Sequence, residues 1–401
     1  MKEAFIILSV WGILYPDFNG GITMNIETIT AHAGLCTDET TGAISTPIYQ
    51  TAAFRHIALG ISTGYDYSRT ANPTRKALEN VMAELEGGDR GFAFASGMAA
   101  LTAILMSFGT GDHLLVSDDL YGGTYRLLEK NFKQFGIDAS YVDTTQPWEI
   151  EQAIVPGRTK ALLIETPTNP LMKITDLRKV IALARQHELI TIVDNTFMTP
   201  YLQRPIEFGA DIIIHSATKY LGGHNDVLGG IVVTRTPVLS ERIGFIQNST
   251  GAVLGPQDSW LMLRGIKTLT IRIDRQESNT LKLAQWLHGH PAVKRVYYPG
   301  LQDHPGHQLQ REQCKGFGAM IAFEVTETEL VEQIINRVKV LTFAESLGGV
   351  ETLITYPVRQ THGDIPLEMR ERIGVTDQLL RVSVGIEDSR DLIEDLKQAI
   401  G

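Results

Sequence analysis

Cysteine is scarce in this chain: of 401 residues only Cys36 and Cys314 carry a thiol. Two thiols make neither a disulfide framework nor a four-cysteine zinc site, and they suit a reducing cytoplasm in which each is a small buried hydrophobe. Basic charge is also short. Thirty-six Lys and Arg face forty-six Asp and Glu, for a net charge of −10, and no run of five basic residues occurs, so nucleic acid is not an expected partner. No apolar segment reaches the ~20 residues that cross a bilayer, so no membrane partner is expected either. The apolar stretch Lys2–Tyr15 resembles the core of an export signal but lacks a small-residue cleavage site before Gly20-Gly21. With Met24 as a second start, residues 1–23 read as an extension outside the folded protein. Metal-ligand spacing is missing too: His215 and His224 stand nine apart, and His288 and His290 are i, i+2, so neither is a helix-face zinc pair.

What is present is a large core. Hydrophobic residues make up 43% and charged ones 20%, which excludes a disordered chain, and the length suits more than one domain. Between residues 90 and 235 short apolar runs alternate with helix-period segments. The strands expected are Phe92–Ala95, His113–Val116, Ser140–Asp143, Ala161–Glu165, Ile190–Asp194, Asp211–His215 and Ile231–Thr234. Helices are expected at Met98–Phe108, Thr124–Phe135 and Asp176–His187. That alternation predicts an α/β domain, a mostly parallel seven-stranded sheet covered on both faces. After residue 265 the pattern becomes α+β. One long helix is expected over Ile266–Leu287, strands at Ala319–Val325, Thr352–Tyr356 and Leu379–Ile386, and helices at Thr328–Val338, Leu367–Ile373 and Ser389–Ile400. The division expected is an arm over 24–75, a large domain over 76–264 and a small C-terminal domain over 265–401.

Ligands of open parallel sheets bind beyond the carboxyl ends of the strands. There the sequence places Ser96-Gly97-Met98, a turn into a helix whose N–H groups make an anion site. It also places Tyr121 in a loop flanked by Gly122 and Gly123, and Asn169 between Pro167 and Pro170. Asp194 ends an apolar strand, where a carboxylate needs a positive partner. Ser216 and Thr218 flank Lys219, whose amine can serve as nucleophile and base once desolvated. Pyridoxal 5′-phosphate requires such a set: a lysine, a carboxylate for the ring nitrogen, an anion site and an aromatic neighbour. Lys219, Asp194, Gly97 and Met98 with Ser216 and Thr218, and Tyr121 fill those roles. In Leu379–Ile386 the period of two sets Arg381, Ser383 and Gly385 on a polar face, and Arg381 suits a substrate carboxylate.

These residues lie in motifs that resemble the Cys/Met-metabolism family of pyridoxal-phosphate enzymes over essentially all of residues 24–401. The motifs include Tyr65-Asp-Tyr-Ser-Arg-Thr-Ala-Asn-Pro-Thr74, Phe94-Ala-Ser-Gly-Met98, Asp119-Leu-Tyr-Gly-Gly123 and Glu165-Thr-Pro-Thr-Asn-Pro170. Val193-Asp-Asn-Thr196, His215-Ser-Ala-Thr-Lys-Tyr-Leu-Gly-Gly-His224, Ala344-Glu-Ser-Leu-Gly-Gly349 and Leu380-Arg-Val-Ser-Val-Gly385 complete them. The resemblance implies the type I aminotransferase-like fold and a homotetramer with shared active sites. It implies that Tyr67 and Arg69 reach the cofactor phosphate of a neighbouring subunit. Asn169 would meet the ring hydroxyl, and Ser346 would help orient the substrate carboxylate. Glu345 resembles the residue of members that act at Cγ, where it would receive a distal ammonium. The substrates implied are small amino acids of trans-sulfuration. The reading is γ-replacement on an O-acyl-homoserine by cysteine or another thiol, with a cystathionine γ- or β-lyase as the alternative. A non-catalytic pyridoxal-phosphate binder is the rival of another class, and the intact lysine, aspartate, tyrosine and arginine speak against it.

Overall fold

The computed structural model describes residues 24–35, 38 and 40–401. The extension read at residues 1–23 and the burial expected for Cys36 lie outside the described residues.

The first sheet holds seven strands: β1 (Arg90–Phe94), β2 (His113–Ser117), β3 (Asp138–Val142), β4 (Thr159–Glu165), β5 (Ile190–Asp194), β6 (Ile212–Ser216) and β7 (Gly230–Thr234). Their spatial order is β1-β7-β6-β5-β4-β2-β3, and β7 alone runs antiparallel to its neighbours. The apolar runs are nearly continuous because both faces are covered, and alternate side chains go to different cores. Val193, Ile213, Ile231 and Val233 join the core under the helices Pro73–Glu86 and Leu177–Gln186. Ile192, Ile212, Ile214 and Val232 join the core against the helix Gly97–Leu105.

The second sheet comprises β8 (Val293–Tyr297), β9 (Met320–Val325), β10 (Thr342–Phe343), β11 (Leu353–Thr355) and β12 (Leu379–Ser383), ordered β10-β11-β12-β9-β8. Its own core takes Leu283, Ile334, Leu392 and Leu396 from three helices. Among the described residues, no helix is long and apolar enough to cross a membrane.

The structure departs from the expected elements at several places. The helix expected over Ile266–Leu287 is two helices, Pro256–Ile266 and Leu269–His288. They break where Arg272 donates to the Gly265 carbonyl at 2.9 Å and Gly265 approaches the Gly222 carbonyl too closely for any side chain. The segment Thr124–Phe135 changes pitch twice, from an α-turn over Gly122–Arg126 to a wider turn over Leu127–Asn131 and a tighter one over Phe132–Phe135. Strand β12 ends at Ser383, so Gly385 lies beyond it, and all five of its residues are buried. Arg381 therefore does not sit on a solvated polar face. The larger sheet's loops cover that face, and Arg381 is 1% exposed.

Candidate active site

A cavity of about 370 Å³ opens where the carboxyl ends of β4, β5 and β6 meet β12 and its preceding loops. Eleven of the thirteen residues expected at the site line it: Gly97, Met98, Tyr121, Asn169, Asp194, Ser216, Thr218, Lys219, Glu345, Ser346 and Arg381. Tyr67 and Arg69 do not. Within the single chain Arg69 turns to Asn248, donating to its Oδ1 at 2.8 Å.

Lys219 sits in the turn after β6, its N–H donating to the Ser216 carbonyl at 3.1 Å. Its Nζ donates to Ser346 Oγ at 3.1 Å. Burial pushes the amine down to about 8, the charge of Arg381 adds to the shift, and Glu345 opposes it. Ser346 holds φ at 145°, a conformation that side chains rarely adopt. It faces Lys219 with its hydroxyl and Arg381 with its carbonyl, which accepts from Nη2 at 3.2 Å.

Asp194 ends β5. Burial raises its carboxyl, while the hydroxyl and N–H of Thr196 and the nearby His215 favour the charged form. The Thr196 N–H lies 3.0 Å from Asp194 Oδ1, and Thr196 Oγ1 accepts from the Ser216 N–H at 2.8 Å. One threonine thus joins the ends of β5 and β6. An anion cradle lies beside them. Ser96 caps the helix Gly97–Leu105, accepting from Ala99 N at 3.0 Å, which leaves the N–H groups of Gly97 and Met98 unused within the helix. A Cβ at Gly97 would stand 3.0 Å from the Ser216 Cβ, so only glycine fits without a shift.

Arg381 donates to Asn169 Oδ1 at 2.8 Å and to Thr355 Oγ1 at 3.2 Å, while its Nε is buried without a partner. Burial pushes this guanidinium down to about 10. An arginine so held is suited to take a carboxylate on its free edge. Asn169, with its Oδ1 engaged, keeps its amide NH₂ as the donor for a ligand oxygen.

Glu165 and Thr196 line the same cavity and carried no role in the sequence reading. Glu165 pairs in register with Asp194, and its Oε2 accepts from the Tyr121 N–H at 3.1 Å. Burial first, and then the charge of Asp194, raise its carboxyl well above the ordinary value. The signal was there. Glu165 follows an apolar strand as Asp194 does, and the same desolvation argument applies. Cys314, expected as a buried hydrophobe, is only partly buried and donates to Gln203 Oε1 at 3.0 Å.

A desolvated amine, a buried carboxylate, an anion cradle and an unpaired guanidinium edge thus face one cavity. This set fits pyridoxal phosphate bearing an amino-acid substrate. Comparison with known proteins agrees. The model of the Cys/Met metabolism PLP-dependent enzyme family matches residues 27–401. The chain is 54% identical over 377 residues to a cystathionine gamma-lyase of Bacillus subtilis (strain 168), covering 94% of this chain and 99% of that protein. It is 50% identical over 376 residues to a cystathionine beta-lyase of Lactococcus lactis subsp. cremoris (strain MG1363), covering 94% and 99%. It is 48% identical over 375 residues to a cystathionine gamma-synthase of Haemophilus influenzae, covering 93% and 97%. The crystal structure of cystathionine gamma-lyase from Lactobacillus plantarum complexed with L-serine superposes with a TM-score of 0.92 at 48% identity, covering 94% of this chain and 98% of that one.

Proposed function

From the premise that the chain belongs to the Cys/Met metabolism PLP-dependent enzyme family, we propose that its cavity forms or cleaves the carbon–sulfur bond of cystathionine-class amino acids. The protein is a PLP-dependent trans-sulfuration enzyme with the type I fold. The observation that carries the proposal is the convergence of Lys219, Asp194 and the unpaired edge of Arg381 on one cavity.

Bound pyridoxal phosphate supplies an electron sink for charge that develops at the substrate's Cα. The chain's own residues do the rest. Lys219 holds the cofactor and moves protons; its desolvated amine is basic enough to accept one and weak enough to release it near neutral pH. Asp194, braced by Thr196, would keep the ring nitrogen protonated. Gly97, Met98, Ser216 and Thr218 would receive the phosphate. Asn169 would meet the ring hydroxyl, and Tyr121 would stack on the ring and assist amine exchange. Arg381 takes the substrate carboxylate beside Ser346, and Glu345 at the rim receives a distal ammonium.

In the oligomer Tyr67 and Arg69 come from a neighbouring subunit to complete the phosphate site, in a cytoplasmic homotetramer. Support for this is that Ile44, Ile57, Leu59 and Ile61 of the arm are exposed in the single chain.

Two directions share this machinery. γ-Replacement joins cysteine or another thiol to an O-acyl-homoserine, and Glu345 suits it by holding the incoming amino acid. Lysis of cystathionine, by γ- or β-elimination, is the alternative, and relatives of both kinds are similar to this chain, lyases at 54% and 50% identity and a synthase at 48%. Initial rates of the holoenzyme decide between them. Faster cystathionine formation from O-acyl-homoserine and cysteine establishes replacement; faster cystathionine breakdown establishes a lyase, with 2-oxobutyrate or pyruvate reporting the bond cut. Turnover of neither substrate set would overturn the proposal.

A further inference from the structure

Beneath the cavity, on the opposite face of the sheet, lies a buried carboxylate–imidazole pair that the machinery above leaves unused. Glu86 ends the helix Pro73–Glu86, and its Oε1 stands 2.6 Å from Nε2 of His215 on β6. The two side chains are 0% and 1% exposed. The same carboxylate oxygen accepts from Nδ2 of Asn195 at 2.9 Å. Asn195 directly follows Asp194, and His215 directly precedes Ser216. Because successive strand residues face opposite ways, Asp194 and Ser216 point into the cavity while Asn195 and His215 point down to Glu86. One carboxylate therefore gathers the undersides of the two strand ends that present the ring and phosphate groups.

The contacts of this cluster are fixed. Asn195 also donates to the Gln203 carbonyl at 2.8 Å and accepts from Gln203 Nε2 at 3.0 Å. Backbone bonding agrees, since Asn195 N–H donates to the Ile214 carbonyl at 3.0 Å, and Ile214 is the register partner of Asp194. The other polar atoms of the pair, Glu86 Oε2 and His215 Nδ1, are buried without a partner, so Oε1 carries the link between the helix end and both strand ends. The groups facing Asp194 are Glu165 on the neighbouring strand, Thr196 and His215; against the burial of the carboxyl, Thr196 first and then the nearby His215 favour its charged form.

We propose that the Glu86–His215 pair is a positioning device for the cofactor ring: it fixes the strand ends behind Asp194 and Ser216, and with them the carboxylate that would meet the ring nitrogen. This rests on the reading that Lys219 and Asp194 hold pyridoxal phosphate. It adds two residues that touch neither cofactor nor substrate and act through Asp194.

The test uses the holoenzyme and three variants: Glu86→Gln, which keeps size and a hydrogen-bonding oxygen, His215→Asn, and their combination. The readouts are cofactor affinity and the pH midpoint of the visible band of the bound cofactor. A ring nitrogen that loses its proton draws less charge from the lysine-bound carbon, so the midpoint should rise. Both single variants should show this rise together with weaker cofactor affinity. The double variant should be no worse than the worse single, because the pair acts as a unit. Met82→Ala, in the same core, provides a variant of lowered melting temperature without a charge change. It should leave the midpoint in place. An unmoved midpoint in Glu86→Gln and His215→Asn, or an equal movement in Met82→Ala, overturns the proposal. A Lys219→Ala protein that keeps the visible band overturns instead the reading it rests on.

Discussion

Lys219 illustrates how burial prepares a residue for chemistry: its amine, pushed down to about 8, is half deprotonated at a pH where an exposed lysine is almost fully charged. Only the neutral amine attacks a carbonyl, so capture of pyridoxal phosphate by the cofactor-free protein should speed up as pH rises and level off above about 8. Stopped-flow absorbance checks this; a rate still climbing toward the pH at which a free lysine titrates would contradict it. Arg381 allows a second expectation. Arg381→Ala removes a charge-assisted pair with the substrate carboxylate, so KM should rise about 10- to 100-fold, the equivalent of roughly 1.5–3 kcal/mol. Unchanged KM would place the clamp elsewhere.

Part of this residue chemistry was legible in the sequence. Asp194, Ser216 and Lys219 stand out because polar groups directly follow apolar strands. Arg381 was visible as a strand arginine, but its burial on both faces was not, because that depends on Asn169 and Ser346 from distant segments. Glu165 was overlooked although its position repeats the logic of Asp194.

Among the elements, close backbone approach does what side chains cannot. Gly230 opens β7 against the Ser96 carbonyl, and a Cβ there would collide with that backbone and with Ala100. Gly230→Ala should cost about 1–3 kcal/mol by overpacking and should loosen the phosphate cradle with it. Thermal unfolding and cofactor titration should therefore worsen together; a loss of melting temperature with intact cofactor affinity would separate the glycine from the cradle.

Helices with strong periods and clean ends, Leu367–Ile373 and Ser389–Ile400, match expectation to the residue. The helix Pro73–Glu86 was passed over. Its signals were nonetheless written in the chain: Asn72 as cap, Pro73 at the first position, and Gly87 at φ 75° to end it. The split at Lys267-Thr268 carries no proline and only Gly265 nearby, and it follows from packing against Gly222 that no local pattern reports.

At the scale of the whole molecule, the arm remains to be accounted for. Tyr67 and Arg69 lie outside the cavity of their own chain, and the arm that carries them leaves Ile44, Ile57, Leu59 and Ile61 exposed. If the arm acts in trans, chains carrying Lys219→Ala and chains carrying Arg69→Ala should complement each other. Hybrid dimers hold one intact site each, so random mixing should restore about a quarter of the sites. No recovery above the two parents would show that Arg69 serves its own chain or none.

The central claim is that Lys219 carries the cofactor in this cavity, and one measurement meets it directly. The holoenzyme is reduced with borohydride, digested, and its peptides weighed. The mass of the reduced pyridoxyl group should appear on the peptide containing Lys219 and on no other. Its appearance on a different lysine, or on none, would contradict the assignment from which every other role here follows.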